Sequence, residues 1–360
     1  MSSTNIVRDI TVLIQTKFLP AVPYRWRVQL LFGMQAYGLH TFQSLASNAR
    51  SAVANPPTAL RKCERLLKNE QLADQLGIVF DSLGLVKQSS FVAVDHSDVD
   101  GLTALVGAVQ TRKGRAVPCF VETTYAHHIP ADGSRLSTPR WQRLRAAMVA
   151  ARRTQSFTGH TIDTLQDFAD RLGFWPKLVF DRGFANESML THLYAEGATF
   201  YVRLKAGRYV ELDDGESSTR IAVKELASKD STIQLFGLTL RVIRSPKSRR
   251  ATEPWYILTN DLVSTRDKIV KIYYHRFEIE EAFKDIKHLF ELKHVQFYKP
   301  QSLKVLLWFV MLGIAALYAV TKPTQAQLHS GHPKKRISWL RQAYEQLQQA
   351  FGLLIWGDGV

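Results

Sequence analysis

Residues 91–95 read FVAVD and residues 177–181 read KLVFD, so an apolar run ends in an acid twice in the chain. A strand whose neighbouring side chains are all apolar is covered on both faces, which places it at the centre of a sheet. An acid closing such a run cannot be buried alone, because an unpaired carboxylate in apolar surroundings is costly. Asp95 and Asp181 must therefore be solvated, hydrogen-bonded or bound to a cation. Taken singly, each reads more readily as a turn or cap residue; strand ends are also where a rigid scaffold presents side chains to a cleft, and the pair in one context brings the two readings level. Between the two runs lie GLTALVGAVQT (101–111) and RAVPCFVET (115–123), separated by Lys113-Gly114. Their proximity predicts an antiparallel meander. A helix is expected from about Gln155 to Arg171, after a polar Ser/Thr/Gly stretch. Strand-strand-strand-helix-strand is the opening order of an RNase H-like fold, so the expected class is α/β.

Residues 1–88 carry helical spacing, over Arg25–Phe42 and again over Thr58–Gly77. In the second stretch Leu60, Cys63, Leu66 and Leu67 fall on one side, while Arg61, Lys62, Arg65 and Lys68 fall on others. Such a basic helical segment suits a DNA-end-binding module, and equally a helical cap over a core. From Ala198 to Asn260 the segments ATFYVRLK, RYVELDD, TRIAVKEL, STIQLFGLTLRVIRS and PWYILTN predict a β-rich insertion. Helix resumes from Ser264 to His294, and an apolar helix follows over 302–321. Its uninterrupted apolar part, Val305–Val320, falls short of the ~20 residues a bilayer requires, so it is expected in a core, with no membrane partner. The expected division is 1–88 helical, 89–197 with 261–322 as the catalytic core, 198–260 as the insertion, and 323–360 as a helical tail. Lys and Arg total 47 against 32 Asp and Glu, a net charge of +15, which fits a polyanionic partner, nucleic acid being the commonest. Cys63 and Cys119 stand far apart, so neither a zinc ribbon nor a disulfide framework is indicated. The first residues lack the charged and apolar runs of a signal peptide, and a cytoplasmic location is expected.

The segment IYYHRFEIEEAFKDIKHLFELK (272–293) predicts one long helix. Tyr273, Arg276, Glu280, Lys284 and Lys287 then fall on one stripe, at spacings of 3, 4, 4 and 3. Spacing alone reads this as a solvated face, with Glu280 and Lys284 as an i,i+4 ion pair. Glu281 is the rival acid on this helix, and Glu278 points away from the stripe. Asp98 and Asp100 are rivals to Asp95. His96 adjoins Asp95, but imidazole is a poor ligand for Mg2+. His127 and His128 read as surface residues of a loop, and Arg182 as a phosphate contact or a loop cap.

Tyr273-x2-Arg276-x3-Glu280-x6-Lys287 resembles the Y-R-E-K signature of a group of bacterial insertion-sequence DDE transposases. VAVDHSDVDG is similar to that group's first-Asp strand, LVFDRGF to its second-Asp motif, and GRAVP (114–118) to its second-to-third strand hairpin. The resemblance covers residues 88 to 320. It implies that Asp95, Asp181 and Glu280 are catalytic and hold two Mg2+ or Mn2+ ions, which as hard cations take oxygen ligands. It implies that Tyr273, Arg276 and Lys287, with Lys284 and Arg182 nearby, contact the phosphates of DNA, and that Trp255 is placed to stack a flipped base. The implied activity is cut-and-paste transposition by a homodimer holding the terminal inverted repeats, in the nucleoid of a bacterial host. A metal-dependent nuclease of the same fold and a catalytically silent DNA-binding regulator are the alternatives.

Overall fold

The computed structural model describes residues 3–39, 56–99, 101–126, 138–154, 156–213, 218–246, 253–289, 297–321, 340–341, 343–344 and 346–347. The chain divides into two compact units: Met1–Leu85, His96–Gln155 and Glu278–Val360 form the first, Val86–Asp95 and Ser156–Phe277 the second. The strands are β1 Phe91–Val99, β2 Leu102–Val109, β3 Val117–Tyr125, β4 Lys177–Phe180, β5 Phe200–Leu204, β6 Tyr209–Asp213, β7 Ser218–Ala222, β8 Asp230–Leu235, β9 Leu238–Arg244 and β10 Tyr256–Thr259.

The second unit is built on a mixed sheet ordered β1-β4-β5-β10-β9-β8-β6-β7, with β1 contributing its residues up to Asp95. β1, β4 and β5 run parallel, and the pairs from β5 through β10, β9, β8, β6 and β7 are antiparallel. Val92, Ala93, Val94, Leu178, Val179 and Phe180 are all fully buried, which explains the unalternated apolar runs. The helix Phe157–Leu172 leads into β4. Ser156 Oγ accepts the Gly159 N–H at 2.9 Å at its start, and Gly173 closes it at φ +74°, a left-handed conformation that favours glycine. The helix Glu187–Ala195 joins β4 to β5, capped by Asn186, whose side chain accepts the Met189 N–H at 3.0 Å. The β-rich stretch expected over 198–260 is present as strands, and it begins without a break in the sheet, since β5 is hydrogen-bonded to β4.

In the first unit the strand order is β3-β2-β1, with β1 contributing residues 96–99. β2 and β3 pair antiparallel, as the meander predicts, with a bulge at Gly107/Ala108. The core of this unit is the helix Pro300–Thr321. By length and composition it could cross a membrane, yet every residue from Val305 to Leu317 is buried, packed against β3 and the helices Ser3–Leu13, Pro56–Leu67 and Glu70–Asp81. A helix apolar on all sides belongs in such a core. Phe309 comes so close to Gly33 that a Cβ there would lie 2.0 Å from the ring.

Three helical expectations need refinement, and one helix was not expected. Thr58–Gly77 is two helices, Pro56–Leu67 and Glu70–Asp81, separated at the extended residue Asn69. Asn followed by an acid is a helix-start signal hidden by the apolar spacing that runs across it. Arg25–Phe42 is a helix over Tyr24–Gly33 that widens into an i→i+5 turn over Met34–Gly38, with Leu39 N–H on Met34 O at 2.9 Å; residues 40–42 lie outside the described residues. A helix the pattern did not announce, Pro139–Thr154, precedes Phe157–Leu172. Finally, 272–293 is not one helix. It is Arg266–Tyr274 and then Phe277–Leu289, with residues 290–293 outside the described residues. The tail helix expected at 337–351 also falls largely outside them.

Candidate active site

Register brings the two aspartates together. β1 and β4 pair Phe91 with Lys177 through Val94 with Phe180. The same offset carried one residue further sets Asp95 beside Asp181, on adjacent strands about 4.8 Å apart. Both side chains are half-buried. The chain treats them differently: β1 continues past Asp95 to Val99, while β4 stops at Phe180 and Asp181 enters a short turn over Arg182–Phe184. β4 pairs with β5 as Val179 with Tyr201 and Phe180 with Val202, which sets Asp181 beside Arg203 in turn. Register partners point to one face of a sheet. Two residues back on that face, Val179 and Tyr201 pack with Ile269, Ile272 and Tyr273 in one core cluster. The acids therefore share the face covered by the helix Arg266–Tyr274.

Arg276 Nη1 donates to Asp95 Oδ2 at 3.2 Å. The Arg276 residue is 4% exposed, and its guanidinium lies over the Phe277 ring at 4.8 Å and the Tyr273 ring at 5.9 Å. Burial pushes the Tyr273 phenol well above its ordinary value; the guanidinium groups of Arg276 and Arg203 oppose the shift and the Asp181 carboxylate adds to it. Tyr273 is thus a neutral donor among charges. Trp255 packs on the same cluster, its ring centroid 5.6 Å from Tyr273 edge-on and 5.5 Å from Phe277.

The helix Phe277–Leu289 belongs, from Glu278 onward, to the first unit. Glu278, 6% exposed, holds the loop between β2 and β3. Its Oε2 accepts the N–H groups of Thr111 at 2.8 Å and Arg112 at 3.1 Å, and its Oε1 accepts that of Gly114 at 3.3 Å. The loop turns through Arg112 at φ +60° and Gly114 at φ +84°, which points successive N–H groups at one carboxylate. Ala116 N–H closes the clasp on Glu278 O at 3.2 Å. From the same loop, Arg115 pairs with Glu281 at 3.3 Å and Asp285 at 2.6 Å, and Lys284 pairs with Glu281 at 2.6 Å. Glu280 is half-buried.

A family model described as a transposase DDE domain matches residues 87–315, more than half of the chain. The chain belongs to the DDE transposase family. No curated protein matches it. Membership makes this transposase a DNA phosphoryl-transfer enzyme, in a family that generally uses divalent metal ions.

Against that identity, the structure of the transposase sorts the residues named from sequence. Asp95 and Asp181 are brought together. Arg276 is buried on Asp95. The five-residue stripe is interrupted, because the helix breaks at His275-Arg276 and leaves Tyr273 on the preceding helix. The break has no glycine or proline. Two tertiary anchors lie within three residues of each other, Arg276 on Asp95 and Glu278 on its loop, and they outweigh the local preference for a continuous helix. Lys284 pairs with Glu281 at i,i+3, and Glu280 also acts on it electrostatically. Of the rival acids, Glu281 is engaged with two cations, and Asp98 accepts a 2.6 Å hydrogen bond from Thr103 Oγ1; Asp100, His127 and His128 lie outside the described residues. Arg182 is exposed and Lys287 half-buried. Among the described residues, no three His, Cys, Asp or Glu side chains are gathered closely enough to hold a metal ion. Arg203 escaped the sequence reading, and Glu278 was read only as pointing away from the stripe. Arg203 was recoverable only from the β4–β5 register.

Proposed function

We propose that this transposase moves an insertion sequence by cut-and-paste, with Asp95, Asp181 and Glu280 as its catalytic carboxylates and a Y-R-E-K group formed with Tyr273, Arg276 and Lys287. The observation that supports the reading is the parallel β1–β4 register, whose last pair, Val94 with Phe180, immediately precedes Asp95 and Asp181. Glu280 joins them on its order in the chain and on the engagement of its neighbour Glu281 with Arg115 and Lys284. The donor type suits Mg2+ or Mn2+, since all three side chains are carboxylates, and metal binding at Asp95 would have to share or displace its contact with Arg276. Bound there, two such ions would activate the attacking water or 3′-hydroxyl and neutralise charge on the leaving oxygen.

The chain's own groups orient the reactants. Arg276 fixes the direction of the Asp95 carboxylate through its hydrogen bond. Tyr273, kept neutral by burial, can donate to a phosphate oxygen, and Arg203 places a guanidinium beside Asp181 where the phosphate would lie. Arg182, Lys284 and Lys287 supply further phosphate contacts. Trp255 takes the role of stacking a flipped base during release of the end as a hairpin. The parallel β1-β4-β5 core is read as RNase H-like, β6 to β9 as its insertion, and residues 1–88 as the end-binding domain, whose Arg61, Lys62, Arg65 and Lys68 are all exposed. A homodimer would hold the two inverted-repeat ends before joining them to target DNA, in the cytoplasm of a bacterial host.

The test is a strand-transfer assay with pre-cleaved, end-labelled inverted-repeat duplex, plasmid target and Mg2+. Joined product that is lost in Asp95→Ala, Asp181→Ala and Glu280→Ala is expected. Hydrolysis without joining would make the chain a nuclease, and end binding without either reaction would make it a regulator.

A further inference from the structure

We infer that the exposed face of the helix Pro139–Thr154 is a docking surface for duplex DNA of no particular sequence, the class to which target DNA belongs. The inference rests on the reading that the transposase acts on DNA. The helix reads PRWQRLRAAMVAARRT, with five arginines and no acid. Its inner face is short and apolar: Trp141, Leu144 and Met148 are 6%, 1% and 1% exposed, against β3 and against Gly101, whose φ of +89° lets the Trp141 ring approach. Arg140 serves this anchoring, donating to Phe297 O at 3.2 Å and lying over the Tyr298 ring at 5.6 Å.

The other four arginines anchor nothing. Arg143, Arg145, Arg152 and Arg153 are all exposed, and among the described residues none makes an ion pair or hydrogen bond. Helical spacing aligns Gln142, Arg145, Val149 and the pair Arg152-Arg153 along one flank, with Arg143 beside it. An ordinary solvated helix intersperses acids with such cations, because like charges at i,i+7 and i,i+8 repel and opposite charges offset them. Here the gaps are filled by Ala146, Ala147, Ala150 and Ala151, whose small side chains let a rigid polyanion approach while the long arginines reach its phosphates. Uncompensated charge on a rigid, alanine-spaced helix fits a phosphate backbone. An arginine-borne contact would be with phosphate, which every sequence shares, so the occupant is duplex DNA irrespective of sequence.

The experiment is a salt titration of binding by the full chain, followed by fluorescence anisotropy without divalent metal. The ligands are a random-sequence duplex and an inverted-repeat duplex. The variant is Arg145→Ala/Arg152→Ala/Arg153→Ala, which keeps good helix formers. The control is Lys205→Ala/Lys224→Ala/Lys229→Ala, which removes equal charge from exposed positions elsewhere. Each phosphate contact contributes about 0.9 to the slope of log K against log salt, so the variant should lose about 2.7 on random duplex and the control far less. A slope unchanged from the control, a loss confined to the inverted-repeat duplex, or a loss seen only on phosphatidylserine vesicles would overturn the assignment. Cleavage of inverted-repeat ends is scored separately, so the surface can fail while the catalytic reading stands, and the reverse.

Discussion

Removing the Glu278 carboxylate should loosen the β2–β3 loop by an amount that the hydrogen bonds themselves set. Glu278→Ala strips the acceptor from three backbone N–H groups held at 2.8, 3.1 and 3.3 Å. A buried donor left unpaired costs about 1–3 kcal/mol, and bonds to a charged acceptor lie at the upper end. Arg112 and Gly114 are exposed enough for water to replace the carboxylate, whereas Thr111 is half-buried. The sum expected is therefore about 3 kcal/mol, carried mostly by Thr111. Glu278→Gln keeps one acceptor oxygen and turns an amide toward the remaining donor, so about 1–1.5 kcal/mol should be lost. Amide hydrogen exchange reads this residue by residue. Protection at Thr111 should fall about 100-fold in Glu278→Ala and about tenfold in Glu278→Gln, since 1.4 kcal/mol is a factor of ten. If Thr111 keeps its protection in Glu278→Ala, or if the glutamine is as damaging as the alanine, the clasp is not what fixes the loop.

Three further outcomes follow from charged side chains. Asp95→Ala and Arg276→Ala each remove the 3.2 Å hydrogen bond between these side chains, and Asp95→Ala should cost more stability because the guanidinium it leaves behind is on a residue 4% exposed, whereas the Asp95 side chain is 24% exposed; urea unfolding that ranks them the other way would remove Arg276 from its place on Asp95. Burial works against the Asp261 charge, yet the hydrogen bonds from Ser264, Tyr201 and the Val263 N–H hold its pKa down at about 2. A depressed carboxyl pKa stabilises the fold above the unfolded value of 3.8 and is lost as pH falls toward 2, so Asp261→Asn should flatten the decline of the urea midpoint between those values. Manganese titration followed by electron paramagnetic resonance should show binding lost in Asp95→Asn and Asp181→Asn and retained in Asp98→Asn, whose carboxylate serves Thr103; equal loss in Asp98→Asn would move the site along β1.

The buried strands and the acids that follow were legible because burial on both faces leaves a short unbroken apolar run closed by a charge, twice in the chain. Periodicity failed where tertiary anchors decide. The apolar spacing of 272–293 continues across His275-Arg276, and no local residue announces the break; the causes sit far off in the chain, at Asp95 and in the loop from Thr111 to Ala116. Glu278 looked like a residue turned away from the chemistry, because a helical wheel cannot show which loop its outer side meets. The helix Pro139–Thr154 went unread because three apolar anchors among arginines and alanines make a weak pattern. Arg203 is an ordinary strand residue until two registers set it beside Asp181.

The division of the chain has a consequence for its synthesis. Neither unit is a continuous stretch, and β1 supplies residues to both. A ribosome that has released everything up to Gln155 has made the β2–β3 hairpin and the arginine helix, but not the glutamate that pins their loop or the apolar helix that forms their core. Those arrive only after the whole second unit has emerged. The early segment must wait, exposing the apolar faces of β2 and β3 throughout; cutting the gene between residues 95 and 96 would divide a strand, and cutting it after 155 or 277 would part the loop from its clasp. Expression of separated halves is therefore expected to give insoluble chains, with the order of emergence as the cause.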